Sequence, residues 1–160
     1  MIVTLDGLSR IRAQYQGRKI VLTSGTFDLL HVGHLHYLEE VKKYGDVVVV
    51  LLSSDARVKA RKGPRRPIIS EDDRAHMLDA LKVVDYVLID PSKLPDQTDP
   101  VHTEIVARLQ PDFYVTDGED PRFWTIMNKS KLAVLPRANG GKHASTSAII
   151  EHIVSRHRGQ

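Results

Sequence analysis

Cysteine is absent from all 160 residues, which excludes disulfides, thiolate metal sites and cysteine nucleophiles together. No apolar stretch reaches the ~18 residues that a membrane-spanning helix needs. The N-terminus lacks a charged segment followed by a long apolar one, so a secretory signal is not expected, and a cytoplasmic protein with no membrane partner is the reading. Aromatics are scarce at 6%, and the net charge is only +3. With no nucleic-acid-binding motif in view, nucleic acid is not an expected partner. What is present is a 41% apolar chain, enough to build the core of one domain spanning residues 1–160.

Apolar runs rich in valine and isoleucine alternate with segments of helical period. Strands are expected at 19–24, 46–53, 85–89, 112–116 and 131–135, and helices at 9–16, 33–44, 71–83, 100–109 and 146–157. The run Val47-Val48-Val49-Val50-Leu51-Leu52 is apolar at every position, as a central strand covered on both faces should be. Ser70 with Asp73 reads as a capping box, Gly45 as a helix stop, and Ala75, Met77, Leu78, Leu81 and Val84 as one core stripe. Strict alternation implies parallel strands with right-handed crossovers. The expected fold is α/β, a Rossmann-like, doubly wound, five-stranded parallel sheet in three α/β/α layers. Ligands of such sheets lie at the carboxyl ends of the strands, near the switch in strand order. Pro91-Ser92-Lys93-Leu94-Pro95-Asp96 reads as a surface loop.

Residues 24–34 read Ser-Gly-Thr-Phe-Asp-Leu-Leu-His-Val-Gly-His, between the first full strand and the helix that follows it. A helix N-terminus offers unpaired N–H groups and partial positive charge, a seat for phosphate. His31 and His34, spaced i and i+3, would present two imidazoles to that phosphate and stabilise charge developing on it. Gly25 would let backbone approach a phosphate closely, and Thr26 adds a hydroxyl and an N–H. Phe27 reads first as core, and Asp28 as a brace for a histidine or for the loop backbone. Zinc is not expected, for want of a third ligand at recognisable spacing.

Lys59, Arg61, Lys62, Arg65 and Arg66 fall within a short basic run. Such a run is either a solvated loop or a polyanion site, and polyphosphate suits it better than nucleic acid. Near the carboxyl end, Ser145, Thr146 and Ser147 precede Ile149, Ile150 and Ile153, reading as a helix cap that can also be an anion site.

Gly25-Thr26-Phe27-Asp28 with His31-Val32-Gly33-His34 resembles the signature of the cytidylyltransferase-like nucleotidyltransferase superfamily, and the similarity runs over about residues 19–155. Ser54-Asp55-Ala56, Lys59, Lys62-Gly63 and Arg66-Pro67 resemble the matching segment of heptose-phosphate adenylyltransferases. Arg66-Pro67-Ile68-Ile69, Arg74, Met77, Ala80-Leu81 and Val84-Asp85 are also similar to archaeal-type FAD synthases. Leu135-Pro136-Arg137 and Ser145-Thr146-Ser147-Ala148-Ile149-Ile150 resemble glycerol-3-phosphate cytidylyltransferases.

The resemblance implies catalytic roles for His31, His34, Lys59 and Lys62. It implies nucleotide contacts from Gly25, Thr26, Phe27, Gly33, Arg74, Asp117, Arg137, Ser145, Thr146 and Ser147. The acidic string Thr116-Asp117-Gly118-Glu119-Asp120-Pro121-Arg122 departs from the family's usual Gly-Asp pattern. Lys142 and His143 stand as phosphate ligands or as solvent-facing residues. The implied reaction is attack by a phosphate monoester on the α-phosphorus of a nucleoside triphosphate, CTP or ATP with a slight lean to CTP, releasing pyrophosphate. A divalent ion, Mg²⁺, would bridge the phosphates with few protein contacts. The phosphorylated acceptor would be a small alcohol or sugar, and the protein a homodimer. The alternatives are FMN adenylylation and a non-catalytic nucleotide-binding module.

Overall fold

The computed structural model describes residues 1–92, 100–118, 123, 125–128, 131–135 and 145–157. Among them, parallel strands β1 (Ile2–Val3), β2 (Ile20–Gly25), β3 (Val47–Leu52), β4 (Tyr86–Ile89), β5 (Phe113–Thr116) and β6 (Leu132–Val134) form one six-stranded sheet in the order β1-β4-β3-β2-β5-β6. The expected five strands are all present. The sixth, β1, is two residues long and pairs Ile2 with Val87 and Val3 with Leu88. So short a strand has no period to read.

The helices are α1 (Leu8–Gln14), α2 (Val32–Lys42), α3 (Asp55–Lys62), α4 (Glu71–Asp79), α5 (Val101–Leu109) and α6 (Thr146–His157). Leu8 and Ile11 of α1 and Ile105 and Leu109 of α5 pack with Ile20, Leu22, Val49 and Leu51 on one face of the sheet. Leu38 and Val41 of α2 and Ala75 and Leu78 of α4 pack with Val21, Val48, Val50 and Leu52 on the other. Alternate residues of β3 feed opposite cores, so all six are buried, and the three layers follow.

Local signals account for the helix ends. Ser70 Oγ accepts from the Asp73 N–H at 3.2 Å and donates to Asp73 Oδ2 at 2.8 Å, closing the expected box. That helix stops at Asp79, earlier than its apolar stripe suggested. At Gly45 the constraint is close approach: a Cβ there would sit 2.9 Å from the Lys19 carbonyl oxygen. The basic run is only partly a loop: Lys59, Arg61 and Lys62 lie in α3, capped by Ser54 and ended by Gly63 at φ 90°, and Arg65 and Arg66 lie in the turn after it. With Val58 its one buried residue, α3 has no apolar stripe to announce it. In α6 no residue is buried, and Ile153 and Val154 are exposed.

Strands β3 and β4 lie on one side of β2, and β5 and β6 on the other. The switch in strand order therefore falls between β2 and β5, beside the loop that carries both histidines.

Candidate active site

Between Gly25 and α2 the chain makes a tight turn, with Phe27 at φ 49° and Leu29 at φ 48°. These left-handed conformations cost free energy for residues with a Cβ, and neighbouring segments hold them. Asp28 is 1% exposed; its carboxylate accepts from Arg66 Nε at 2.7 Å and from the Ile68 and Ile69 N–H groups. Burial raises its pKa, yet those N–H groups and Arg66 more than offset this and leave it lowered. Asp28 thus braces the backbone of 68–69, a segment outside the loop it was expected to brace.

Arg74 departs from expectation. Its side chain is fully buried, donating from Nε to Ile69 O, from Nη1 to the Thr26 and Ser53 carbonyls, and from Nη2 to Asp55 Oδ1. A guanidinium so enclosed and committed ties the loops after β2 and β3 together and does not reach a nucleotide.

Gly25 also serves a purpose other than the one expected. A Cβ there would lie 2.6 Å from Phe27 Cε2, so the missing side chain makes room for the Phe27 ring. Phe27 itself is 4% exposed and belongs to the core under α2.

His31 is the N-cap of α2, its Nδ1 accepting from the Gly33 N–H at 3.1 Å. That bond assigns the ring proton to Nε2 and leaves Nε2–H as the donor of a neutral imidazole. The His34 N–H bonds the His31 carbonyl at 2.9 Å. The Gly33 and His34 amides are therefore committed, and the imidazoles stand beside them as donors at this helix end. The two rings stack, centroids 3.8 Å apart, with Phe27 edge-on to His34 at 5.3 Å. Burial, then the charges of His31 and Lys62, push the His34 pKa down to about 4, against the opposing pull of Asp117 and Asp28. Burial also lowers that of His31. Near neutral pH both rings are uncharged N–H donors, and His34 Nδ1 is buried without a hydrogen-bond partner among the described residues.

The other groups meet this loop from three sides. Arg61 Nη2 donates to Thr26 Oγ1 at 2.7 Å. Lys62 and Asp117 lie close enough for their charges to be felt at His34. Thr146 Oγ1, at the start of α6, donates to the Asp28 carbonyl at 2.6 Å. Ser145 Oγ accepts from the Ala148 N–H at 3.2 Å and caps α6, while Ser147 is exposed. Lys59 is exposed, its ammonium making no hydrogen bond or ion pair among the described residues. Arg137, Lys142 and His143 lie outside the described residues. Sequence reading placed Arg61 only in the basic run; its reach to Thr26 shows only in the folded chain, where 55–62 is helical.

The model of the cytidylyltransferase-like family matches residues 22–152. The chain belongs to that family. It is 46% identical over 120 residues to the bifunctional protein HldE of Geobacter metallireducens, covering 74% of this chain and 23% of that one. Against HldE of Citrifermentans bemidjiense it is 39% identical over 164 residues, covering 96% of this chain and 31% of that one. The chain thus spans less than a third of the length of these relatives. Among solved structures, the lipopolysaccharide core biosynthesis protein of Thermoplasma volcanium superposes with TM-score 0.59 at 30% identity, covering 77% of this chain and 100% of that one. Pantoate-beta-alanine ligase of Francisella tularensis, at TM-score 0.53 and 16% identity over 85% of this chain and 66% of that one, shares the fold. Among the described residues no helix is long and apolar enough to cross a membrane.

Proposed function

We propose that this chain transfers the adenylyl group of ATP to the phosphate of a sugar phosphate, releasing pyrophosphate. One observation carries the reading: the Thr146 bond to the Asp28 carbonyl and the Arg61 bond to Thr26 bring the start of α6 and the cationic end of α3 onto the loop of the two histidines. The sugar-phosphate acceptor is supported by the heptose-type string from Ser54 to Pro67 and by the HldE relatives. The lean to CTP rested on Leu135-Pro136-Arg137, of which the last two lie outside the described residues, and on hydroxyls that cap α6 and touch backbone.

An oxygen of the acceptor phosphate attacks the α-phosphorus, a new P–O bond forms, and the bond to the β-phosphate bridge breaks with its electron pair leaving on pyrophosphate. The attacking oxygen is already anionic near neutral pH, so no general base is required. The chain's residues position and neutralise. The Nε2–H of His31 and the ring of His34 donate to oxygens of the reacting phosphate, and Lys62 and Arg61 balance the charge of the phosphate chain. Among the described residues no cluster of three or more metal-ligating side chains is present; a divalent ion would be carried on the phosphates, with Asp117 a carboxylate whose charge is felt at His34. When bound it would supply further charge neutralisation. A cytoplasmic homodimer belongs to the same proposal, the oligomeric state being testable by light scattering.

The test is pyrophosphate release from each common nucleoside triphosphate against heptose phosphates, other sugar phosphates, glycerol 3-phosphate and FMN. Release with ATP and a sugar phosphate is expected. Release confined to CTP with glycerol 3-phosphate, or to ATP with FMN, would replace this reading. ATP binding without release from any acceptor would make the chain a binding module.

A further inference from the structure

A second charged cluster lies at the carboxyl end of β4, outside the phosphate-binding loop. The Asp90 side chain is 0% exposed, its Oδ2 lying 3.2 Å from Arg57 Nε and 3.2 Å from His102 Nε2. Asp90 Oδ1 accepts from the Ser92 N–H at 3.0 Å, and Ser92 Oγ accepts from Arg57 Nη1 at 2.7 Å. Ser92, expected in a surface loop, is buried. Burial pushes the Asp90 carboxyl up, but hydrogen bonds from His102 and Ser92 outweigh it and hold the pKa at about 2. Asp90 is therefore an anion at neutral pH, shared between α3 and α5.

The cost of burying these charges is rarely recovered as stability, since apolar replacements of similar volume are often as stable. What the cluster does determine is where α3 sits. Helix α3 has eight residues and buries only Val58; a helix that short is marginal on its own. Side chains hold it instead: Ser54 and the Arg74–Asp55 pair at its start, Arg57 in its middle, Arg61 at its end. Arg57 and Arg61 are i and i+4, on one face. One is fastened to Asp90 and Ser92, and the other reaches Thr26.

We propose that Asp90, acting through Arg57, is a positioning residue that orients α3 so that Arg61 and Lys62 face the phosphate site. The proposal rests on the transferase reading only for its kinetic test. Arg57→Met should lower kcat/KM about tenfold in the otherwise unaltered chain, yet less than about threefold when Arg61 and Lys62 are already alanine, because the cations it aims are gone. Arg57→Lys should recover part of the loss. Ser92→Ala, which removes one strut only, gives the same comparison should Arg57→Met fail to fold. Amide exchange supplies a readout without catalysis: residues 58–62 should exchange about tenfold faster in the variant, with α2 and α5 unchanged. Equal kinetic losses in both backgrounds, or unaltered exchange in α3, would overturn the proposal. If the unaltered chain releases no pyrophosphate at all, the transferase reading falls, and amide exchange still decides the role of Asp90.

Discussion

The rings of His31 and His34 lie stacked at a centroid separation of 3.8 Å and an angle of 22°, so a charge on one opposes a charge on the other. With His31 fixed as the cap of α2, the pair is held as two neutral donors beside Lys62. Replacing one well-placed donor to a charged transition state commonly costs about 2.7–4 kcal/mol, or 10²–10³ in rate. His34→Ala should therefore lower kcat by at least about a hundredfold while circular dichroism shows the fold intact. Turnover within about threefold of the parent would remove His34 from the chemistry.

The same burial makes stability depend on pH. The unfolded chain takes up a proton at residue 34 near pH 6.5, the folded chain only near about pH 4. Between these values the unfolded state holds more protons, so stability falls as pH drops through the window and levels off below it. His31, lowered in the same direction, adds to the effect. Urea midpoints at pH 7 and pH 5 should differ less in His34→Asn than in the parent; equal differences would contradict the burial argument.

Arg74→Met should unfold far more readily than the parent, by about 3 kcal/mol in urea titrations. The substitution leaves Asp55 without its partner and the Thr26, Ser53 and Ile69 carbonyls without their donor. A variant as stable as the parent would mean that these loops hold their positions without the guanidinium.

Gly25→Ala should cost about 1–3 kcal/mol, the usual penalty for overfilling a packed core, since the new methyl would overlap the Phe27 ring. Phe27→Leu in the same chain should return part of that loss, and unfolding of the double variant measures it. A purely additive double variant would show that the ring is not what excludes a side chain at residue 25.

Much of the fold was legible because its signals are local. The run from Val47 to Leu52 is apolar on both faces whatever surrounds it, and Ser70 caps α4 with a partner three residues away. Helix α3 was missed because its residues are polar and its helicity shows in propensity and an N-cap, not in an apolar stripe. The packing roles of Gly25 and Arg74 were not legible for a related reason. A glycine in a phosphate-binding loop and an arginine matched to the family pattern suggest ligand contacts, but burial decides, and burial depends on neighbours far along the chain.

By itself the sequence determined the alternation of strand and helix, the identity of the central strand, and the loop that places His31 and His34 at the start of α2. These follow from periodicity and capping, which act over a few residues. The tertiary structure alone decided that Thr146 meets Asp28 across 118 positions of chain, that Arg74 closes on Thr26 across 48, and that Asp90 holds Arg57. Such contacts form between segments that only the folded sheet brings together, and their geometry, not residue type, separates a ligand from a brace.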